Sequence, residues 1–276
     1  MNSVRSSSLS FEEIDSILRQ ESPYAFVRHQ NQIFWLSGLS REFLGATAAT
    51  ALMQSVFEAH RDLSFFILRQ RIYTNEPFCE MTAGMLKVIG KRIEYDFRAQ
   101  GRVELLSKLG LSDIVEVEFV DMQSSWQAVL QRKRTSVFFK DEPILSAESA
   151  YKLLARLQSE IPKQKALHDQ PREVAALLVG PAGELISTAV NESVLNKTLH
   201  AEINLVQNFL WTEKIKIPPY YKIYVSHKPC KMCAAMIYES CENPSLNEVI
   251  YFQNVEGRHS VNTVLDRRHL NRQIIS

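Results

Sequence analysis

The sequence predicts two α/β domains in tandem, each with a five-stranded mixed sheet and helices on both faces. First, nine elements in the order α-β-β-α-β-α-β-α-β are predicted over residues 10–140 and again over 146–276. Second, the two halves share residue types at one constant offset, which is typical of a duplication. We therefore expect domains spanning residues 1–142 and 143–276. The matched pairs are Leu111 with Leu246, Asp113 with Glu248, Ser125 with Ser260, Val129 with Val264, Leu130 with Leu265 and Arg132 with Arg267.

The N-terminal elements follow from local patterns. SFEEIDSILRQ (10–20) has helical spacing and a capping box formed by Ser10 and Glu13. The other segments show either helical periodicity or β-prone runs bounded by turn residues. They predict, in order, a hairpin over 24–38, a helix over 41–60, a strand over 63–73, a long helix from residue 80, a strand over 113–121, a helix over 124–134 and a strand over 136–140.

The C-terminal elements have clearer signals. A helix over 146–161 ends before Pro162, and two β-prone runs surround a Pro-Ala-Gly turn in a hairpin over 173–191. The later segments alternate between helical and strand periods. They predict a helix over 200–213, a strand over 220–226, a helix over 229–240, a strand over 247–253, a short helix over 260–269 and a last strand over 273–276.

Composition narrows the class of protein. The chain has 276 residues, of which 45% are hydrophobic and 23% charged, an ordinary globular balance. It contains no run of roughly 20 apolar residues that could span a bilayer, and its start has no apolar signal-peptide run. We therefore expect a cytoplasmic protein without a membrane partner. A net charge of +1 does not mark a nucleic-acid binder. The four cysteines are too few and too clustered for a disulfide framework, so the C-x-x-C pair suggests metal or redox chemistry.

Three residues of the C-terminal half have the character of metal ligands. Cys230 and Cys233 lie three positions apart on a predicted helix, so both sulfurs emerge on one face. His200 opens another helix thirty residues earlier. Zinc with three protein ligands keeps a fourth position for water, which is the catalytic pattern. Glu202 is not needed as a ligand and is available to move protons. Both Glu202 and His200 reach one site only if they lie in the first turn of the helix.

The order H-A-E followed by P-C-x-x-C resembles the zinc-dependent cytidine/deoxycytidylate deaminase-like superfamily, closest to its tRNA adenosine deaminase and guanine deaminase branches. The resemblance covers about residues 146–276 and implies three-layer α/β/α domains of the cytidine-deaminase type. It implies that His200, Cys230 and Cys233 hold Zn²⁺, which lowers the pKa of a bound water. Glu202 then moves protons while water replaces a nucleobase amine and ammonia leaves.

The resemblance also implies contacts to the base. Asn191 matches the substrate-binding asparagine of the family, although an asparagine at a strand end is also a common turn former. Ala201, Pro229 and Lys228 are the other expected contacts. Lys228 departs from the pattern because relatives usually carry Glu there. The neighbouring His227 is interpreted either as a supporting group or as a solvated surface residue.

A second segment resembles a damaged copy of the zinc helix. EPFCEMTAGM (76–85) aligns with KPCKMCAAM (228–236) if Phe78 is skipped, and Thr82 then replaces the second cysteine. The segment aligned with His-Ala-Glu falls within ATAATAL (46–52), which has no histidine or acid. We therefore expect a degenerate N-terminal domain that keeps the deaminase fold without metal, packed as an internal partner. A homodimer of the whole chain is also expected.

Several functions stay open from sequence. The leading hypothesis is a nucleobase deaminase acting on RNA or tRNA, or on a free base, nucleoside or nucleotide. QRKR (131–134) and DRRH (266–269) favour a polymeric substrate if they occupy equivalent places in the two copies, whereas solvated helix faces are the alternative. A non-enzymatic, zinc-stabilised binding protein is the rival from another class. A redox C-x-x-C would leave His200 and Glu202 unexplained.

Overall fold

The computed structural model describes residues 6–7, 22–37, 39, 45–77, 79–89, 92–95, 118–132, 143–144, 146–159, 161, 172–255 and 257–274. The predicted helix over 10–20 and the predicted strand over 136–140 lie outside the described residues. The chain divides into two compact units. The first comprises Met1–Thr82 and Ile89–Arg132, and the second comprises Ala83–Val88 and Lys133–Ser276. No helix in the described part of the chain is long and apolar enough to cross a membrane.

The first unit is built on a six-stranded sheet. Its elements are β1 (Ser6–Ser7), β2 (Tyr24–His29), β3 (Gln32–Ser37), α1 (Ala48–Ala59), α2 (Ser64–Leu68), β4 (Arg71–Thr74), α3 (Glu80–Val88), β5 (Arg92–Tyr95), β6 (Glu118–Asp121) and α4 (Gln123–Gln131). Helix α3 enters the second unit at Ala83. The strand order is β1-β6-β3-β2-β4-β5, in which β2 runs antiparallel to β3 and β4, while β4–β5 and β3–β6 are parallel. Ten consecutive residues of α1 are buried, so this helix is the centre of the core.

Two predicted elements of the first unit are wrong. Residues 64–68 of the predicted strand form helix α2, and only 71–74 are extended. The apolar run there is long enough for one helical turn, and periodicity alone cannot separate the two forms over so short a segment. The predicted long helix from residue 80 ends at Val88, shortly before Gly90, and Arg92–Tyr95 pair in parallel with β4 instead. Glycine favours helix ends because it disfavours the helix interior.

The second unit contains the five-stranded mixed sheet that the sequence predicts. Its elements are α5 (Ala147–Ser159), β7 (Ala175–Val179), β8 (Leu185–Val190), α6 (Ala201–Glu213), β9 (Lys222–His227), α7 (Lys231–Ser240), a 3₁₀ turn (Pro244–Leu246), β10 (Glu248–Gln253), α8 (Val264–Arg267) and β11 (Asn271–Gln273). The order is β11-β10-β9-β7-β8, with β7 antiparallel to β8 and β9 and the other pairs parallel.

Helices cover the central strands of this sheet. Leu177 and Val179 of β7 pack with Leu153, Leu154 and Leu157 of α5. The alternate positions of β7 point to the opposite face, and α6 packs on β7 and β8. All five residues of β7 are buried, as expected for a strand covered on both sides. The mixed α/β fold predicted from sequence is confirmed, and it brings the N-termini of α6 and α7 together.

The two sheets share part of their topology. The order and directions of β3-β2-β4-β5 repeat those of β8-β7-β9-β10. The first sheet then differs, because β6 joins β3 at the opposite edge and the described residues form six strands rather than five. Strand β5, rather than β6, therefore holds the position of β10. The constant-offset alignment is wrong, because it matches β6 with β10 although the two strands lie towards opposite edges of their sheets. The equivalence of QRKR with DRRH depends on the same offset and is wrong for the same reason.

Candidate active site

The three predicted metal ligands meet at the start of two helices. His200 is the N-cap residue of α6, Cys230 is the N-cap residue of α7, and Cys233 lies in the first turn of α7. His200 Nδ1 is 3.7 Å from Cys230 Sγ and 3.4 Å from Cys233 Sγ, and the two sulfurs are 3.5 Å apart. In the described residues these three form a group whose ligand atoms all lie within 4.8 Å of one another.

This triangle fits a tetrahedral metal. Ligand distances of about 2.3 Å for sulfur and 2.0–2.1 Å for nitrogen place two sulfurs about 3.8 Å apart and a sulfur and a nitrogen about 3.6 Å apart. The observed separations of 3.4–3.7 Å are close to these values. Cys233 is buried, whereas His200 and Cys230 are partly exposed and line a cavity. The donor set of one imidazole and two thiols suits zinc.

The protonation of the two thiols is strongly coupled. The hydrogen bond between the Cys230 and Cys233 sulfurs, together with the nearby His200, holds the pKa of Cys230 well below its usual range despite burial. Burial and the Cys230 thiolate raise the pKa of Cys233. Burial alone lowers the pKa of His200, but the neighbouring Cys230 and Glu202 outweigh burial and raise it. One thiolate is therefore already favoured, and thiolates are the form that binds metal.

Glu202 lies beside the ligands, in the first turn of α6. Glu202 is only 3% exposed, and it lines the cavity together with His200 and Cys230. Burial, reinforced by the Cys230 thiolate, raises the pKa of Glu202 to about 7. A carboxyl group with a pKa near neutrality can both accept and release a proton, which is the property of a general acid–base group. Because His200 is the N-cap residue, the first helical turn carries both side chains to one site, as the sequence requires.

The cavity has a volume of about 500 Å³. This lies within the range of roughly 300–1,000 Å³ for small-molecule sites. Its walls come from the end of α3, the residues just before β7, the loop after β8, the start of α6, the end of β9, the start of α7 and the loop after β10. The lining residues are Val88, Arg172, Val174, Asn191, Ser193, Lys197, His200, Glu202, His227, Lys228, Cys230, Val255, Gly257, His259 and Ser260.

The expected substrate contacts divide into two groups. Asn191 and Lys228 line the cavity, whereas Ala201 and Pro229 are buried and are not among its lining residues. The side-chain amide of Asn191 donates to the Arg172 carbonyl at 2.8 Å and to the Ser193 hydroxyl at 3.1 Å. It thus holds the end of the hairpin as well as facing the cavity. Lys228 is paired with Asp266 at 2.9 Å, which fixes the direction of its chain.

Sequence reasoning missed several cavity residues. Arg172 and Lys197 line the wall, and neither belongs to a recognised motif. Lys197 lies three residues before the motif histidine, which is the one local signal that could have drawn attention to it. His227 also lines the cavity, and its Nδ1 lies 3.0 Å from the Ser226 hydroxyl. Burial, with some contribution from Arg172, lowers the pKa of His227, so the supporting interpretation fits better than a solvated one.

A basic C-terminal segment, made of His259, Arg267, Arg268, His269 and Arg272, is only partly connected with the site. His259 lines the cavity, and its carbonyl accepts a hydrogen bond from the Lys231 N–H at 2.7 Å. The remaining members are exposed, and Arg272 pairs with Glu248 at 3.2 Å. They are Arg267, Arg268, His269 and Arg272. Cys241 is buried outside the ligand group, and burial raises the pKa of its thiol to about 12, as expected of a spare thiol.

The first unit places three residues in a similar local arrangement. Thr47 is the N-cap residue of α1, as His200 is of α6. Cys79 directly precedes α3, and Thr82 lies in its first turn. Thr47 Oγ1 lies 3.0 Å from Thr82 Oγ1, and Cys79 Sγ lies 3.5 Å from Thr82 Oγ1. Hydrogen bonds therefore connect Thr47, which caps α1 as His200 caps α6, with Cys79 and Thr82, which the motif alignment matches with Cys230 and Cys233.

Residues 165–276 match the family model described as Bd3614-like deaminase. This part of the chain is therefore similar to a family of deaminases. The resemblance drawn from the H-x-E and P-C-x-x-C motifs is confirmed. The matched residues are called the deaminase domain below, and they contain His200, Glu202, Cys230 and Cys233.

Several solved structures are similar to part of the chain. A tRNA:A34 deaminase, from work on A-to-I editing at the wobble position of transfer RNA, is 21% identical and covers 37% of this chain and 77% of its own, with a TM-score of 0.31. The dCMP deaminase of cyanophage S-TIM5 is 16% identical over 46% of this chain and 95% of its own, with a TM-score of 0.33. The Aspergillus oryzae Rib2 deaminase is 15% identical over 47% and 83%, with a TM-score of 0.37. No curated protein matches the chain significantly.

Proposed function

We propose that the deaminase domain is a zinc-dependent hydrolase that removes an amino group from a nucleobase. The observation that carries this proposal is the position of Glu202. A carboxyl with a pKa of about 7 is buried on the cavity wall beside His200, Cys230 and Cys233. A structural metal site needs no such proton-transfer group, and burying an ionisable carboxyl is energetically costly.

Each step of the proposed hydrolysis can be assigned to residues of the site. His200, Cys230 and Cys233 hold zinc, which supplies Lewis-acid activation of water when it is bound. The Glu202 carboxylate takes one proton from the attacking water and delivers it to a ring nitrogen of the base. As the C–N bond breaks, Glu202 carries the second proton to the departing amine. Water's oxygen then remains as the carbonyl, and ammonia leaves.

The cavity residues orient the base for this reaction. Asn191 lines the cavity from a position fixed by its own hydrogen bonds to Arg172 and Ser193. Because both of its amide N–H groups are donated there, its preorganised amide oxygen is the atom that can accept from the substrate. Lys228 is held by Asp266 and contributes a positioned methylene chain and charge at the wall. Where relatives usually carry Glu, Lys228 changes the charge offered to the base, so the base preferred by this chain can differ from theirs.

The experiment that tests the proposal is ammonia release by the zinc-loaded chain from cytosine, adenine and guanine compounds as bases, nucleosides, nucleotides and a tRNA pool. Glu202→Gln is compared with Glu213→Gln, which changes an exposed carboxylate at the end of the same helix. We expect release by the native chain and by Glu213→Gln but not by Glu202→Gln. Zinc binding without release from any compound would instead support the zinc-stabilised binding protein. Equal release by Glu202→Gln would reject its role.

We propose further that residues 1–142 are a degenerate copy of the domain formed by 143–276. The order β3-β2-β4-β5, which repeats β8-β7-β9-β10, supports this, as does the placing of Thr47, Cys79 and Thr82 at similar helix starts. Ala49 then stands where Glu202 stands in the deaminase domain, so this position of the copy carries no proton-transfer group. A cytoplasmic location fits the free thiols. A homodimer remains a prediction for size-exclusion chromatography with light scattering.

A further inference from the structure

The cavity wall carries an excess of positive charge. Among its described lining residues, Arg172, Lys197 and Lys228 are cationic and Glu202 is the one acid. The whole chain has a net charge of only +1, so cations are concentrated at this wall. A free base or nucleoside is neutral and gains little from such a wall, whereas an anionic substrate is attracted to it.

The three cations have different surroundings. Lys228 is balanced by Asp266, with Nζ and Oδ1 2.9 Å apart, and its side chain is only 14% exposed. Arg172 lies just before β7, where its carbonyl accepts from Asn191, and its charge acts on His227. Lys197 lies in the loop before α6, and its charge acts on His200. Arg172 and Lys197 therefore bring positive charge to the wall on elements that hold the expected substrate and metal residues.

From this arrangement we propose that the substrate is a nucleotide whose phosphate binds at Arg172 and Lys197, rather than a free base or nucleoside. This inference rests on the proposed deaminase function, because it places the base at Glu202. A guanidinium binds phosphate oxygens in a bidentate manner, and an ammonium adds a point charge. The cavity of about 500 Å³ suits one nucleotide unit. That unit is either a free mononucleotide or one nucleotide of a nucleic acid, since both present the same phosphate.

The test compares kcat/KM for three compounds that carry the same base: the nucleoside, its 5′-monophosphate and a short oligonucleotide. The measured quantity is the ratio of monophosphate to nucleoside. We expect this ratio to exceed about 10 in the native chain and to fall about tenfold or more in Arg172→Gln and in Lys197→Gln, as for loss of one charge-assisted contact. Lys152→Gln changes an exposed lysine of α5 outside the cavity and leaves the ratio unchanged.

The outcomes are distinct. A ratio near 1 in the native chain, or a ratio that Arg172→Gln and Lys197→Gln do not change, overturns the proposal. If the oligonucleotide is the best substrate, the phosphate belongs to a nucleic acid; if the monophosphate is best, it is free. If no compound releases ammonia, the proposed function fails, and calorimetry with the 5′-monophosphates decides the phosphate site separately. Binding that the Arg172→Gln/Lys197→Gln variant loses supports the site, and no binding at low salt overturns it.

Discussion

Restoring a metal site to the first unit tests both the duplication and the metal assignment. The double substitution Thr47→His/Thr82→Cys supplies the two missing ligand types beside the native Cys79. The three positions already lie together, with Thr82 Oγ1 at 3.0 Å from Thr47 Oγ1 and at 3.5 Å from Cys79 Sγ. A tetrahedral zinc needs separations of about 3.6 and 3.8 Å between its ligand atoms, so the three positions are close enough for their side chains to share one ion. We expect the double variant to bind one more zinc per chain than the native protein.

The stability change can be worked out from the cap of α1. Thr47 Oγ1 accepts from the Thr50 N–H at 3.2 Å, and the Thr47 N–H donates to Thr50 Oγ1 at 2.7 Å. Replacing such an N-cap residue costs about 0.5–2 kcal/mol. Zinc at 100 times its dissociation constant stabilises the folded state by about 2.7 kcal/mol. The variant should therefore melt below the native protein when a chelator is present, and zinc should raise its Tm to the native value or above it.

The assay combines elemental analysis after gel filtration with thermal unfolding in chelator and in zinc. Adding Cys79→Ser to the double variant serves as the control, because it removes one thiolate and should return the zinc count to the native value. If the double variant is folded but binds no additional zinc, the claim that these positions retain the geometry of a metal site is refuted. Additional zinc that persists after Cys79→Ser would show that the metal binds elsewhere.

Three other predictions follow from the second unit. The native chain holds about one zinc, and Cys230→Ala/Cys233→Ala removes it; elemental analysis showing an undiminished count would contradict the ligand assignment. Glu202→Ala keeps zinc and fold but loses on the order of 10²-fold or more in turnover, the scale of a lost proton-transfer group; unchanged steady-state kinetics would remove it from the mechanism. Gly84→Ala places a Cβ 2.5 Å from the Lys231 carbonyl oxygen. We therefore expect the free energy of unfolding, measured by chemical denaturation, to fall by about 1–3 kcal/mol. An unchanged denaturation midpoint would disprove this close approach.

Local sequence patterns were sufficient to predict where the candidate metal ligands of the second unit lie. The separation of three between Cys230 and Cys233 places both sulfurs on one helix face regardless of the remaining fold. The hairpin and the alternation of helix and strand also depend on periods of 2 and 3.6 residues, which are properties of a short segment. His200 and Glu202 reach one site because His200 is the N-cap residue of α6 and Glu202 lies in its first turn.

Long-range packing decided the rest. A strand's own residues do not specify which sheet edge it joins, and so β6 pairs with β3 although its sequence matched the region of β10. Residues 64–68 suit a strand or a helix locally, and tertiary context selects the helix. Arg172 and Lys197 face one cavity with Glu202 because separate loops converge there, and no spacing along the chain records that convergence. Thr47 and Thr82 likewise meet only through folding: a hydrogen bond between side chains 35 residues apart depends on where the sheet places two helix starts.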